Sequence, residues 1–98
     1  MALLVRDRSH RVDDMDNTVE EWWAAVSTVL KTEMAAHRPR LSQGDLAARV
    51  GISRETMSNY LTGKREMPIP VIYRMADELG LTVQWILDEA DRRLARGR

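Results

Sequence analysis

Arg54, Glu55, Ser58 and Asn59 are four polar residues within six positions, and they are the part of this 98-residue chain best equipped to grip a ligand. Their side chains supply a forked cationic donor, an anionic acceptor, a hydroxyl and an amide. They are interleaved with Met57, Tyr60 and Leu61, which fall at i+4, i+7 and i+8 from Ser53. That spacing predicts a helix over 53–61 with one apolar stripe and a polar outer face. Such a helix packs by one side and offers the other to a groove, as a helix does in the major groove of DNA.

The elements that must hold this face lie in Gln43–Gly63, QGDLAARVGISRETMSNYLTG. Leu46, Ala47 and Val50 share the inner face of a first short helix, and Ser42 suits its N-cap because a hydroxyl accepts from an orphan N–H one turn in. Gly51 follows Val50 directly, where a residue without Cβ turns left-handed at no steric cost. Ser53 caps the second helix, and Ala47 is small enough for the two helices to cross closely. Thr62-Gly63 ends the second helix, and Lys64-Arg65 follow in the loop.

This segment resembles the helix-turn-helix of the Cro/C1-type phage repressor family, also called the Xre family. Leu41-Ser42-Gln43 with Leu46-Ala47 is similar to the opening of the family's first motif helix. Val50-Gly51-Ile52-Ser53 is similar to its turn, and Leu61-Thr62-Gly63-Lys64-Arg65 to the loop after its recognition helix, where asparagine commonly stands in place of Thr62. Leu79 to Leu87, LGLTVQWIL, is similar to the family's closing segment. The likeness covers about Leu41 to Leu87, with the motif at 43–62. It implies an all-α, five-helix, lambda-repressor-like DNA-binding domain. It is specific for the family and nearly silent on the target sequence.

By position, the resemblance implies base contacts from Arg54, Glu55, Ser58 and Asn59. A bidentate arginine suits guanine O6 and N7, and a bidentate asparagine suits adenine N6 and N7. Glu55 either accepts from cytosine N4 or steers Arg54, and the residues leave both open. The family's phosphate contacts imply Gln43, Ser53, Thr62, Lys64 and Arg65, with Gln43 at a helix N-terminus where N–H groups face one phosphate. Some relatives place an arginine after the loop proline to probe the minor groove; Ile69 stands at that place here.

Net charge is zero, with 15 basic and 15 acidic residues, unusual for a nucleic-acid binder. The distribution is uneven. Residues 38–65 hold six bases and two acids, net +4, whereas Asp13 to Glu21 hold five acids and no base. Local field governs docking on phosphates more than total charge does.

Thr18 with Glu21 reads as a capping box. From there Val19, Trp22, Trp23, Val26, Val29, Leu30 and Met34 recur at helical spacing to about His37, before Arg38-Pro39-Arg40 breaks the helix. Pro68-Ile69-Pro70 opens a fourth helix on Val71, Ile72, Met75, Ala76 and Leu79, and Gly80 stops it. Thr82 caps a fifth, which Val83, Ile86, Leu87, Ala90 and Leu94 carry to about Arg96. The domain is thus expected at 18–96, with residues 1–17 as a flexible arm. Arg6, Arg8 and Arg11 there make either a basic arm for phosphates or a minor groove, or a plain solvated terminus. Compared with relatives, the first helix starts early and the last runs on. Trp22 or Trp23 packs on Ala90 and Leu94, or one of them faces a partner subunit.

Other function classes find little support. There is no cysteine, which fits a reducing cytoplasm and excludes disulfides and thiolate metal sites. His10 and His37 lack the neighbours of a metal site, and Asp13, Asp14 and Asp16 suit caps or a solvated tail better than a cation. No glycine-rich phosphate loop and no nucleophile with a base is evident, so no catalytic role and no cofactor is expected. No run is apolar enough for a membrane. The expectation is a sequence-specific transcriptional regulator of the bacterial cytoplasm or nucleoid, of phage-repressor type. It would bind double-stranded DNA as a homodimer and block or contact RNA polymerase. Two alternatives stand: an antitoxin of a toxin–antitoxin pair on the same fold, and a protein-interaction module whose motif no longer reads DNA.

Overall fold

The computed structural model describes the backbone of residues 2–97 and the side chains of residues 19–97. Its five helices are α1 (Ala2–Ala36), α2 (Gln43–Val50), α3 (Arg54–Leu61), α4 (Ile69–Leu79) and α5 (Val83–Arg96). This is the all-α, five-helix architecture expected from the sequence.

The main difference lies in α1. The expected start at Thr18 is an interior position of a helix that begins at Ala2. No glycine or proline interrupts Ala2–Ala36, so nothing forces the backbone out of the helix at Thr18. A Thr-x-x-Glu spacing marks a cap only where the chain turns away. At 1.5 Å per residue such a helix is about 50 Å long, close to the 57 Å long dimension of the molecule. The side chains of Arg6, Arg8, Arg11, His10 and the three aspartates at 13, 14 and 16 lie outside the described residues.

One core joins all five helices. Val26, Val29, Leu30 and Met34 of α1 meet Leu46, Ala47 and Val50 of α2, and Met57, Tyr60 and Leu61 of α3. Ile72, Met75, Ala76 and Leu79 of α4 and Ile86 and Ala90 of α5 complete it. Each fully buried aliphatic side chain contributes roughly 1.5–3 kcal/mol. Leu41 and Met67, from the segments flanking the α2–α3 pair, are also buried. Val19 does not join the stripe and is 45% exposed.

The ends of the helices follow local chemistry. Gly51 and Gly80 take left-handed backbone at φ 87° and 71° directly after α2 and α4. Thr82 accepts from the amide of Trp85 at 3.0 Å to start α5. Pro68 precedes α4 and Pro70 sits in its first turn, where a missing N–H costs nothing.

The tryptophans resolve as a pair. Trp22 donates its indole N–H to Asp91 of α5 at 3.0 Å. Trp23 meets Trp22 edge-on, with ring centres 5.2 Å apart. Both are half-buried against the core, as adjacent residues about 100° apart on a helix must share the cost of burial. The long α5 therefore docks on α1: Ala90 is fully buried, and Leu94 lines a groove with Ala24, Ala25 and Thr28.

Candidate nucleic-acid interface

Ser42 and Asp45 form a reciprocal box at the start of α2. The Ser42 hydroxyl accepts from the Asp45 amide at 3.1 Å, and the Asp45 carboxylate accepts from the Ser42 amide at 3.2 Å. Hydrogen bonding to Ser42, through its side chain first and its backbone second, holds the Asp45 carboxyl below the usual aspartate range. Gln43 is thereby fixed at the first position of α2. At the other end of α2, the guanidinium of Arg74 donates to the Val50 carbonyl at 2.9 Å. Arg49 pairs with Glu78 at 3.5 Å. Both ties come from α4, and a cation on the last carbonyls of a helix complements its dipole.

The turn then delivers α3. Ser53 caps it by accepting from the Thr56 amide at 3.0 Å, and its hydroxyl donates to the Thr56 hydroxyl at 2.8 Å. At the C-terminal end, Thr62 donates its hydroxyl to the Ser58 carbonyl at 2.8 Å. Its amide reaches the same carbonyl at 2.9 Å. Gly63 takes φ 79°, and the chain doubles back. The amides of Lys64 and Arg65 both land on the Asn59 carbonyl, at 2.9 and 3.2 Å. The basic loop is thus bound to the outer end of α3.

One open cleft collects six of the nine residues singled out by sequence: Gln43, Arg54, Glu55, Ser58, Asn59 and Lys64. Three helical turns and a loop place a cation at each end, amides and a hydroxyl between, and one carboxylate. Arg54 and Glu55 are both exposed and form no ion pair with each other in the described structure. Gly44 lies beside the Arg54 stem: a Cβ there would sit 3.9 Å from the Arg54 Cδ.

The other three lie elsewhere. Ser53 is occupied by capping, and both donors of Thr62 serve its own helix. The Arg65 guanidinium lies 5.7 Å from the centre of the Tyr60 ring, within cation–π range. It lines a second cleft with Val19, Trp23, Lys64 and Glu66. Ile69 is 61% exposed at the start of α4. Sequence reasoning missed the Asp45 half of the box, Arg74 and Ser27. An acid three residues after Ser42 was a legible signal. Arg74 was not, because its partner is a main-chain carbonyl 24 positions away.

Against known proteins, residues 40–86 match the family described as Helix-turn-helix. The fold is similar to the crystal structure of the clp gene regulator ClgR from Corynebacterium glutamicum. The TM-score is 0.70 at 21% sequence identity, covering 78% of this chain and 79% of that one. A search of curated protein sequences found no significant match. The capped helices, the left-handed Gly51 and the loop folded back on Asn59 thus agree with the family match, and residues 40–86 form a helix-turn-helix of the Cro/C1 type.

Proposed function

We propose that the protein is a sequence-specific DNA-binding transcriptional regulator that reads the major groove with α3. The observation that carries this is the single cleft in which Gln43, Arg54, Glu55, Ser58, Asn59 and Lys64 converge on a helix-turn-helix scaffold. Arg54 and Asn59 are the bidentate readers of guanine and adenine, and Ser58 adds a hydroxyl contact. Glu55, unpaired with Arg54, accepts from cytosine N4. Gln43 and Lys64 flank these readers and hold phosphates, so they set register without carrying sequence information. Ser53, Thr62 and Arg65, the other phosphate contacts that the resemblance implies, would reach a phosphate by giving up their bonds to Thr56 and Ser58 and the Tyr60 ring.

Regulation is by occupancy, as in a phage-type repressor: bound protein excludes or contacts RNA polymerase. A homodimer places two copies of α3 in successive major grooves, about 34 Å apart. The similar Corynebacterium structure is that of a gene regulator, which is the reading carried to this chain.

Selection of bound duplexes from a random pool tests the proposal, followed by titration of the recovered site. Arg54→Ala should weaken the recovered site about 5- to 150-fold and relax preference at one base pair. Lys64→Ala should weaken all duplexes alike and lower the salt slope by about 1. A pool that yields no enriched site, or an Arg54→Ala protein with unchanged preference, would falsify the assignment.

A further inference from the structure

Ser27 is the buried polar side chain of the described core, 3% exposed, on the α1 face formed by Val26, Val29 and Leu30. Its hydroxyl crosses to α3 and donates to the Tyr60 carbonyl at 3.0 Å, 33 positions along the chain. That carbonyl also receives the Gly63 amide at 3.3 Å, so it does not depend on the serine for a partner. An alanine would fill nearly the same space without a hydroxyl to satisfy, and a buried hydroxyl costs stability unless it is bonded. What the serine adds is direction: it ties one atom of α1 to the last turn of α3, one residue from Asn59. At the turn of the motif, Arg74 makes a second tie, from α4 to the Val50 carbonyl that ends α2.

We infer that Ser27 is a positioning residue for the reading face, fixing the rotation and stand-off of α3, with Arg74 holding the α2 end of the same unit. This rests on the DNA-reading proposal above. Bidentate contacts to base edges demand placement within fractions of an ångström, whereas phosphate contacts are long, charged and forgiving. Loosening α3 therefore lowers discrimination between sequences and leaves general DNA affinity nearly intact. Ser27 is buried and the Arg74 guanidinium is held on the Val50 carbonyl, and neither lines the cleft on α3.

The experiment compares the selected duplex with a scrambled duplex of equal composition, at one salt concentration. The proteins are wild type, Ser27→Ala, Arg74→Met and Arg74→Lys, each first shown by circular dichroism to be folded at the assay temperature. Ser27→Ala should lower the ratio of the two affinities about three- to tenfold, the size of one lost hydrogen bond. Its affinity for the scrambled duplex should stay within about twofold, because the phosphate contacts are untouched. Arg74→Met should act in the same direction, and Arg74→Lys, which keeps a donor, should recover most of the ratio. Arg74 is exposed, so its variants report even if the core variant fails to fold. A ratio unchanged in Ser27→Ala, or equal losses on both duplexes, overturns the inference while leaving the reading of DNA by α3 in place. A wild type that does not distinguish the duplexes overturns that reading, and the inference with it.

Discussion

α2 and α3 are helices of eight residues each, both started by a serine, yet they are held in opposite ways. α2 has a two-sided box at its start, a left-handed glycine at its end, and two ties from α4 through Arg74 and Glu78. α3 has a one-sided cap and ends at Thr62 in right-handed backbone. Its tie from outside the motif comes through Ser27, at the protected end of its inner face. The difference separates two jobs. Of the polar groups of α2, Asp45 is spent on the Ser42 amide and Arg49 on Glu78, which makes the helix a fixed reference that offers Gln43 to the cleft. Polar groups of α3 are left unspent along Arg54, Glu55, Ser58 and Asn59, which leaves them available to a ligand.

Truncation of the shared core should affect both helices heavily. Met57→Ala in α3 and Leu46→Ala in α2 remove side chains with no exposure. Each should cost about 2–5 kcal/mol in urea unfolding. A much smaller loss for Met57 would mean that α3 is anchored by its ends more than by its stripe. Gly51→Ala tests the hinge between the helices. At φ 87° a Cβ is strained by about 1–2 kcal/mol. Its place lies 3.6 Å from the Arg74 guanidinium, an ordinary contact. The loss should therefore appear as backbone strain, with little added by crowding.

The smallest effect separates the two N-terminal caps. The Asp45 carboxyl titrates below its ordinary value because Ser42 bonds its charged form. Its contribution is therefore present above the unfolded aspartate range and is lost as pH falls through the folded value. Wild type should be slightly more stable than Asp45→Asn at pH 7, with the gap closing as pH falls below the ordinary aspartate range, read as urea midpoints. The α3 cap holds no carboxylate, so Ser53→Ala should cost about 1 kcal/mol with no such pH dependence. A cost that varied with acid would mean that Glu55, the carboxylate of the first turn of α3, takes part in the cap.

Local chemistry was legible in the sequence wherever it acts over four residues or fewer. Ser42, Gly51, Ser53, Gly80 and Thr82 sit at the helix ends that their types predict, and the stripes on α2 and α3 are buried as spaced. On α4 Val71, and on α5 Val83, Leu87 and Leu94, are only partly buried. The start of α1 was misread because Thr18 and Glu21 have cap spacing but no breaker beside them. The convergence of Gln43 and Lys64 on the α3 face was carried by the family resemblance, because 21 positions separate them. Ser27 and Arg74 stayed hidden for a related reason: their partners are carbonyls, which every residue possesses, so no residue type announces the bond.

The indole pair at Trp22 and Trp23 has an optical consequence. Two aromatic rings 5.2 Å apart and inclined by 76° share excitation, and the chain has no phenylalanine to crowd the near-ultraviolet spectrum. Trp23 lines the same cleft as Lys64 and Arg65. The protein thus carries an intrinsic spectroscopic reporter beside its basic loop. Changes of loop conformation can be followed in the native molecule by fluorescence and near-ultraviolet dichroism, without an attached dye.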